Sequence, residues 1–218
     1  MKSLFFDFDG TIANSEKGII DSIHYMIDAM HLPQLDDATY RNFIGPSLTT
    51  SMNKYYPALS AAEVTRTIGY YQEHYQVEGI FELSLYPGVT KALDQLRLAG
   101  YQLNVASAKP EPMIKRIAEH FDLNQYFSGL YGATLDERIR SSKTAVLEYA
   151  IASANADPAR SVMIGDRDTD MIGGENNHVK TLGVTYGFGD AQELNGAHAM
   201  ALVASPSELP AGVAQLLA

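Results

Sequence analysis

Asp7 and Asp9 stand two residues apart in Leu4-Phe5-Phe6-Asp7-Phe8-Asp9-Gly10-Thr11, and carboxylates that close need compensation because like charges disfavour joint ionisation. A shared proton would supply it. So would a hard cation such as Mg2+, which takes oxygen ligands and usually keeps several waters. Three more groups of the right chemistry follow along the chain: Ser107 after Tyr101 to Ala106, Lys143 at a helix start, and Gly165-Asp166-Arg167-Asp168-Thr169-Asp170 after Ser161 to Ile164. Together they offer a carboxylate nucleophile, a hydroxyl donor, a cation and a second acidic group. Asp166 and Asp170, four apart at a strand-to-helix turn, could converge on one cation across one helical turn. Taken singly, each has a plainer reading: Asp9-Gly10 as the corner of a β-turn, Ser107 as a turn serine, Lys143 as a solvated helix lysine. Their order along the chain raises the set above its members.

Elements that can place such groups at one edge are legible in the pattern. Leu4 to Phe8 reads as a buried strand, since aromatic runs suit a sheet covered on both faces, and Gly10 permits the sharp turn that ends it. If the extended geometry persists, Asp7 and Asp9 leave one face and Phe6 and Phe8 the other. From Tyr86-Pro87-Gly88 onward, helices and strands alternate. Val89, Leu93 and Leu96 line a helix closed by Gly100; a strand at Tyr101 to Ala106 precedes a helix at Pro110 to His120. A short strand at Leu130 to Ala133, a helical stripe of Leu147, Ile151 and Ala154, a strand at Ser161 to Ile164 and a helix at Thr169 to Glu175 come next. Val179 to Val184 is a further strand, and Ala201 to Ala218 reads as a last strand and helix. This alternation predicts an α/β fold with a doubly wound parallel sheet, whose ligand site lies at the carboxyl ends of its strands.

Between the first strand and this regular body the pattern is helical. Ile19, Ile23, Met26, Ile27 and Met30 fall at helical spacing, with Ser15 as N-cap ahead of Glu16, and His31-Leu32-Pro33 ends the stripe. Further helical pieces follow up to Gly79, punctuated by Gly45-Pro46 and Tyr56-Pro57. The predicted organisation is therefore a core of residues 1–14 and 83–218 with an inserted helical domain of residues 15–82.

Composition narrows the partners. The 218 residues carry 16 basic and 26 acidic side chains, a net charge of −10, which disfavours nucleic acid polymers and anionic membranes at long range. An anionic ligand must then be held by local cations or a metal. Without cysteine there is no disulfide framework or thiolate site. No apolar run approaches the ~20 residues of a membrane span, and the acids at Asp7 and Asp9 interrupt any signal-peptide core. The expectation is a cytoplasmic protein.

The series Asp7-x-Asp9-Gly10-Thr11, Ser107, Lys143 and Gly165-Asp166-x-x-x-Asp170 resembles the four motifs of the haloacid dehalogenase superfamily of phosphatases. The resemblance covers most of the chain. The helical insertion is similar to the cap of the phosphoglycolate phosphatase-like branch, and Arg41-Asn42-Phe43-Ile44-Gly45-Pro46, Tyr86-Pro87-Gly88-Val89, Ala106-Ser107-Ala108-Lys109-Pro110-Glu111 and Met163-Ile164-Gly165-Asp166-Arg167 resemble a subgroup named for 5'-nucleotidase or phosphoglycolate phosphatase activity. Asn14 departs from the pattern, where an Asp commonly precedes the Ser. The resemblance implies a Rossmann-like core and a Mg2+-dependent hydrolase of a small phosphorylated metabolite, phosphoglycolate or a nucleoside 5'-monophosphate. It implies Asp7 as nucleophile forming an aspartyl-phosphate and Asp9 as general acid and base. Thr11, Ser107 and Lys143 would hold the phosphoryl oxygens, and Asp7, Asp166, Asp170 and the Asp9 carbonyl would hold the metal. Each role suits the side chain concerned: a carboxylate is ionised at neutral pH, and phosphoryl transfer is carried by positioning and electrostatics.

Other groups keep two readings. Arg41 is a candidate substrate contact because its planar fork suits an anion. Lys109 reads either as a solvated loop lysine or as a second anion contact, and Asp168 as a first-turn acid on its helix dipole. The tyrosines between Tyr25 and Tyr75 suit a helical core or stacking on a base. Alternative activities are a phosphomutase or inorganic pyrophosphatase of the same superfamily, or, in a different class, a phosphate-accepting signalling module. Oligomeric state is open.

Overall fold

The computed structural model describes residues 1–135 and 139–218. Its strands are β1 (Ser3–Phe6), β2 (Ala13–Asn14), β3 (Ser84–Leu85), β4 (Gln102–Pro110), β5 (Gly129–Ala133), β6 (Ser161–Gly165), β7 (Lys180–Val184) and β8 (Ala201–Val203). Six of them form one sheet in the order β5-β4-β1-β6-β7-β8, every neighbouring pair parallel; β2 and β3 form a two-stranded sheet. All four residues of β1 are buried, as its central position requires. In register, Phe6 lies beside Val105 on one side and Ile164 on the other. The residues following these three therefore emerge together. The strand order reverses direction at β1, which makes its carboxyl end the switch point of the sheet.

Two compact units divide the chain: residues 1–14 with 85–218, and residues 15–84. The second unit consists of α1 (Glu16–Ala29), α2 (Asp37–Arg41), α3 (Leu48–Tyr55) and α4 (Ala61–Val77). Ile19, Ile23, Met26 and Ile27 are buried along α1. Ser60 and Glu63 close a reciprocal capping box at the start of α4. Ser15 does occupy the N-cap position of α1, but its hydroxyl makes no capping bond, contrary to the sequence expectation. The tyrosines are largely core: Tyr40, Tyr71 and Tyr75 are buried, the last two stacked at 5.3 Å.

The first unit adds α5 (Val89–Leu98), α6 (Glu111–His120), α7 (Lys143–Ser153), α8 (Asp168–Asn176), α9 (Ala191–Gly196) and α10 (Leu209–Leu216). Phe5, Ala106 and Met163 point to the face packed by Val146, Leu147 and Ala150 of α7. Thr181, beside Met163 in register, meets Gly174 of α8 on that face, whereas Leu182, next along β7, meets Gly212 of α10 on the other. Helices thus cover both faces, as the doubly wound pattern predicts. Among the described residues no helix is long and apolar enough to cross a membrane.

Candidate active site

β1 ends at Phe6, one residue before the first acid. The Asp7 N–H still bonds to the Ile164 carbonyl at 2.8 Å, so Asp7 continues the ladder with β6. The chain then turns: Ile12 and Ala13 N–H both donate to the Phe8 carbonyl, and Gly10 sits at φ +85. A Cβ at Gly10 would lie 2.1 Å from Asp166 Oδ2, so the turn needs glycine for both its conformation and its clearance.

The turn begins after Asp7, and Asp7 and Asp9 take different partners. Each finds its own ammonium. Lys143 Nζ lies 2.6 Å from Asp7 Oδ1 and 2.8 Å from Asp170 Oδ1, and it approaches the Ala106 carbonyl at 3.4 Å. Lys109 Nζ lies 3.1 Å from Asp9 Oδ2, with both side chains almost wholly buried. Asp9 Oδ1 is buried and has no hydrogen-bond partner among the described residues. Lys109 is the functional candidate that sequence reasoning left half in solvent; its spacing of two from Ser107 on one strand face was the available signal.

Local structure explains these positions. Lys143 opens α7, which Ser142 caps by accepting from the Ala145 N–H. Asp170 lies in the first turn of α8, where its Oδ2 accepts the Arg167 N–H at 3.1 Å. Gly165 leaves the room, because a Cβ there would fall 2.1 Å from that same Oδ2. At the tip of β4 the register with β5 shifts between Ser107 and Pro110, and the Ser107 hydroxyl oxygen accepts the Lys109 N–H at 3.3 Å.

Asp166 is held from two sides. Thr11 Oγ1 donates to its Oδ1 at 3.2 Å, and the Phe188 N–H donates to its Oδ2 at 2.8 Å. The Thr11 hydroxyl is therefore turned onto a carboxylate, where the sequence reading gave it to a phosphoryl oxygen. Asp168 is the first residue of α8 and its Oδ1 accepts the Thr169 N–H, the first-turn placement expected of it. Arg41 lies in the helical unit, largely exposed and paired with Glu16 at 2.5 Å.

Asp7, Asp166 and Asp170 each bring a carboxylate oxygen within 4.8 Å of the others, all buried. One ammonium, Lys143, pairs with two of these three carboxylates, Asp7 and Asp170, so ionising all three leaves two negative charges over. The strain shows in the acidities. Burial pushes the Asp170 carboxyl up to about 6, with Lys143 opposing and Asp7 adding to the rise. Burial and then Asp170 and Asp7 push Asp166 well above the carboxylate range. Burial alone would lower Lys143, but Asp170 and Asp7 more than reverse it and keep the ammonium charged. An all-oxygen donor set with two excess charges fits a divalent hard cation such as Mg2+.

The comparisons with known proteins agree with this geometry. Residues 4–184 match the family of haloacid dehalogenase-like hydrolases, and the chain belongs to that family. Among the relatives it resembles are proteins named 5'-nucleotidase and phosphoglycolate phosphatase. A 5'-nucleotidase of Pseudomonas aeruginosa is 31% identical, covering 88% of this chain and 86% of that protein. Tyrosine-protein kinase PtkA of Mycobacterium tuberculosis is 34% identical over 86% of this chain, which spans 63% of that longer protein. A predicted phosphatase of Clostridium acetobutylicum superposes with a TM-score of 0.94 at 36% identity, covering 98% of both chains.

Proposed function

We propose that this chain hydrolyses a small phosphate monoester through an aspartyl-phosphate on Asp7, with Mg2+ as cofactor, and that the leaving group is a nucleoside 5'-hydroxyl or glycolate. The observation that carries the reading is the buried cluster of Asp7, Asp166 and Asp170 around Lys143. When bound by the side chains of Asp7, Asp166 and Asp170 and by the Asp9 carbonyl, Mg2+ would supply the positive charge that lets a carboxylate approach a phosphate dianion. The nucleoside alternative draws support from the 5'-nucleotidase relative.

The chain's own residues do the rest. Phe8 N–H and Lys143 Nζ both bear on Asp7 Oδ1 and fix the rotation of the nucleophile. Asp7 attacks phosphorus as the ester bond to the leaving oxygen breaks; Asp9, protonated on the Oδ1 that Lys109 does not engage, gives that proton to the leaving oxygen. Water then attacks the same phosphorus, returns a proton to Asp9 and frees Asp7 and inorganic phosphate. Ser107 and Lys143 stabilise the charge that spreads over the equatorial oxygens. Thr11 acts one step back, orienting Asp166, and Arg41 is the donor proposed to meet the substrate from the helical unit.

Phosphate release from nucleoside 5'-monophosphates, phosphoglycolate, sugar phosphates and pyrophosphate, with Mg2+ or with EDTA and with Asp7→Asn as blank, tests the proposal. The expected result is metal-dependent release from one monoester class. Absence of release from every compound by folded, Mg2+-loaded protein would overturn it. Running ATP and a tyrosine peptide alongside checks the activity named for the mycobacterial relative, with no transfer expected.

A further inference from the structure

The segment joining β7 to α9, Thr185-Tyr186-Gly187-Phe188-Gly189-Asp190, is used by none of the steps above, yet it touches the site at several points. Its start is fixed by the Thr185 N–H on the Val203 carbonyl at 3.0 Å. The Tyr186 hydroxyl then donates to the Thr11 carbonyl at 3.0 Å, its ring edge-on to Tyr86 at 4.9 Å. Phe188 N–H supplies one of the two donors to Asp166. The far end returns to the same motif: Asp190 caps α9 through the Glu193 N–H, and Glu193 Oε1 accepts from Arg167 Nε at 2.8 Å and from the Asp168 N–H at 3.0 Å.

Between these ties the two glycines lie flat on the acid. A Cβ at Gly187 would stand 2.3 Å from the Gly10 carbonyl oxygen and 2.4 Å from Asp166 Cβ, and one at Gly189 would stand 2.0 Å from the Asp166 carbonyl oxygen. Neither has a positive φ; the glycines that do are Gly10, Gly45, Gly88 and Gly100. Backbone freedom is therefore not why glycine stands at 187 and 189. The requirement is contact with Asp166 and with the Gly10 turn.

We propose that residues 185–190 form a strap that presets the Asp166 carboxylate and thereby sets the affinity of the site for its divalent cation. The strap grips the carboxylate through Phe188 N–H, the Asp166 backbone through Gly189, and the opposing turn through Gly187 and Tyr186. It thus locks the tips of β1 and β6 to one another around the ligand oxygen. Outer partners of this kind tune a metal by fixing the orientation of its ligand. The inference rests on the reading of Asp166 as a metal ligand in the proposed function.

The test is Mg2+ titration by calorimetry, together with the rise in Tm that Mg2+ produces, on wild type, Gly187→Ala and Tyr186→Phe. Gly187→Ala is expected to bind Mg2+ roughly 10- to 100-fold more weakly, the range for loss of an outer-shell partner, and Tyr186→Phe to show a smaller loss. A merely structural strap would lower Tm equally with and without Mg2+; a positioning strap shrinks the Mg2+-induced rise, and turnover recovers at saturating Mg2+. Folded variants that bind Mg2+ as tightly as wild type overturn the strap's role and leave the proposed function standing. If Gly187→Ala does not fold, Tyr186→Phe decides, since it removes one hydroxyl and keeps the ring: unchanged affinity overturns the inference. A wild type that binds no Mg2+ overturns the metal reading itself, and the strap's role with it.

Discussion

Lys109 Nζ lies 3.1 Å from Asp9 Oδ2 in a buried ion pair, at the tip of the strand that also carries Ser107. If Asp9 presents one oxygen to a leaving group, as proposed, Lys109 is placed to anchor the other. Lys109→Met should lower kcat on a phosphate ester about 10²-fold, the low end for general acid–base catalysis, with a smaller change in KM. Lys109→Arg, which keeps the charge, should recover part of the loss. Steady-state kinetics at saturating Mg2+ read both.

Asp7 and Asp9 differ in what their loss removes. Asp7→Asn eliminates the proposed attacking carboxylate and should abolish turnover. Asp9→Asn keeps the proposed nucleophile but loses the proposed proton donor, and is expected to cost roughly 10²- to 10⁴-fold in kcat. The cost should be smaller for esters with acidic leaving groups such as p-nitrophenol, which need no proton. Comparing an alkyl and an aryl phosphate separates the two residues.

The crowded acids make the metal-free protein sensitive to pH. Burial pushes the folded Asp170 carboxyl up to about 6 from the 3.8 of an ordinary Asp. Between those values the folded state binds more protons than the unfolded, so stability falls as pH rises. In EDTA, Tm should decline from pH 4 to pH 7 in this region, and Mg2+ should raise Tm most above pH 6. A Tm in EDTA that rises across this interval would contradict the buried acidic cluster.

Gly10 should tolerate no side chain. Alanine there meets the Asp166 carboxyl at 2.1 Å and must hold φ +85, a left-handed conformation costing about 1–2 kcal/mol by itself. Urea denaturation should show at least that loss, and Mg2+ affinity should fall with it.

Arg41→Ala should leave Tm nearly unchanged, because its exposed pair with Glu16 is screened by solvent and contributes little to stability. The same change should raise KM for the anionic substrate if Arg41 meets it.

Much of this was legible in the residues. β1, β4, β6 and β7 fall within a residue or two of their expected starts because each centres on apolar residues bounded by turn residues, and such segments in a parallel sheet are buried on both faces. The acids and Lys143 were legible through their order. What stayed hidden depended on partners distant in sequence. Nothing around Lys109 announces Asp9, one hundred residues earlier, and the Thr11 hydroxyl is committed to Asp166 only because β1 and β6 are neighbours. The Gly-x-Gly of the strap after Val184 carried a readable signal, close approach of backbone to something, without saying to what. Ser15 failed as a cap because its backbone, at φ −103 and ψ 11, lies outside the extended region from which an N-cap side chain reaches the first-turn N–H groups.

The placement of β1 also has a consequence for how the chain is made. Ser3 pairs with Gln102 and Ser161, so the innermost strand leaves the ribosome ahead of both neighbours, and the second of them follows roughly 10 to 30 s later at ordinary elongation rates. During that interval the helices of residues 15–84, whose contacts are local, can fold, while Phe5, Phe6 and Phe8 wait uncovered. Cellular yield should therefore respond to the sequence of the first eight residues, and to chaperones that hold a nascent apolar strand, more than the stability of the finished protein would indicate.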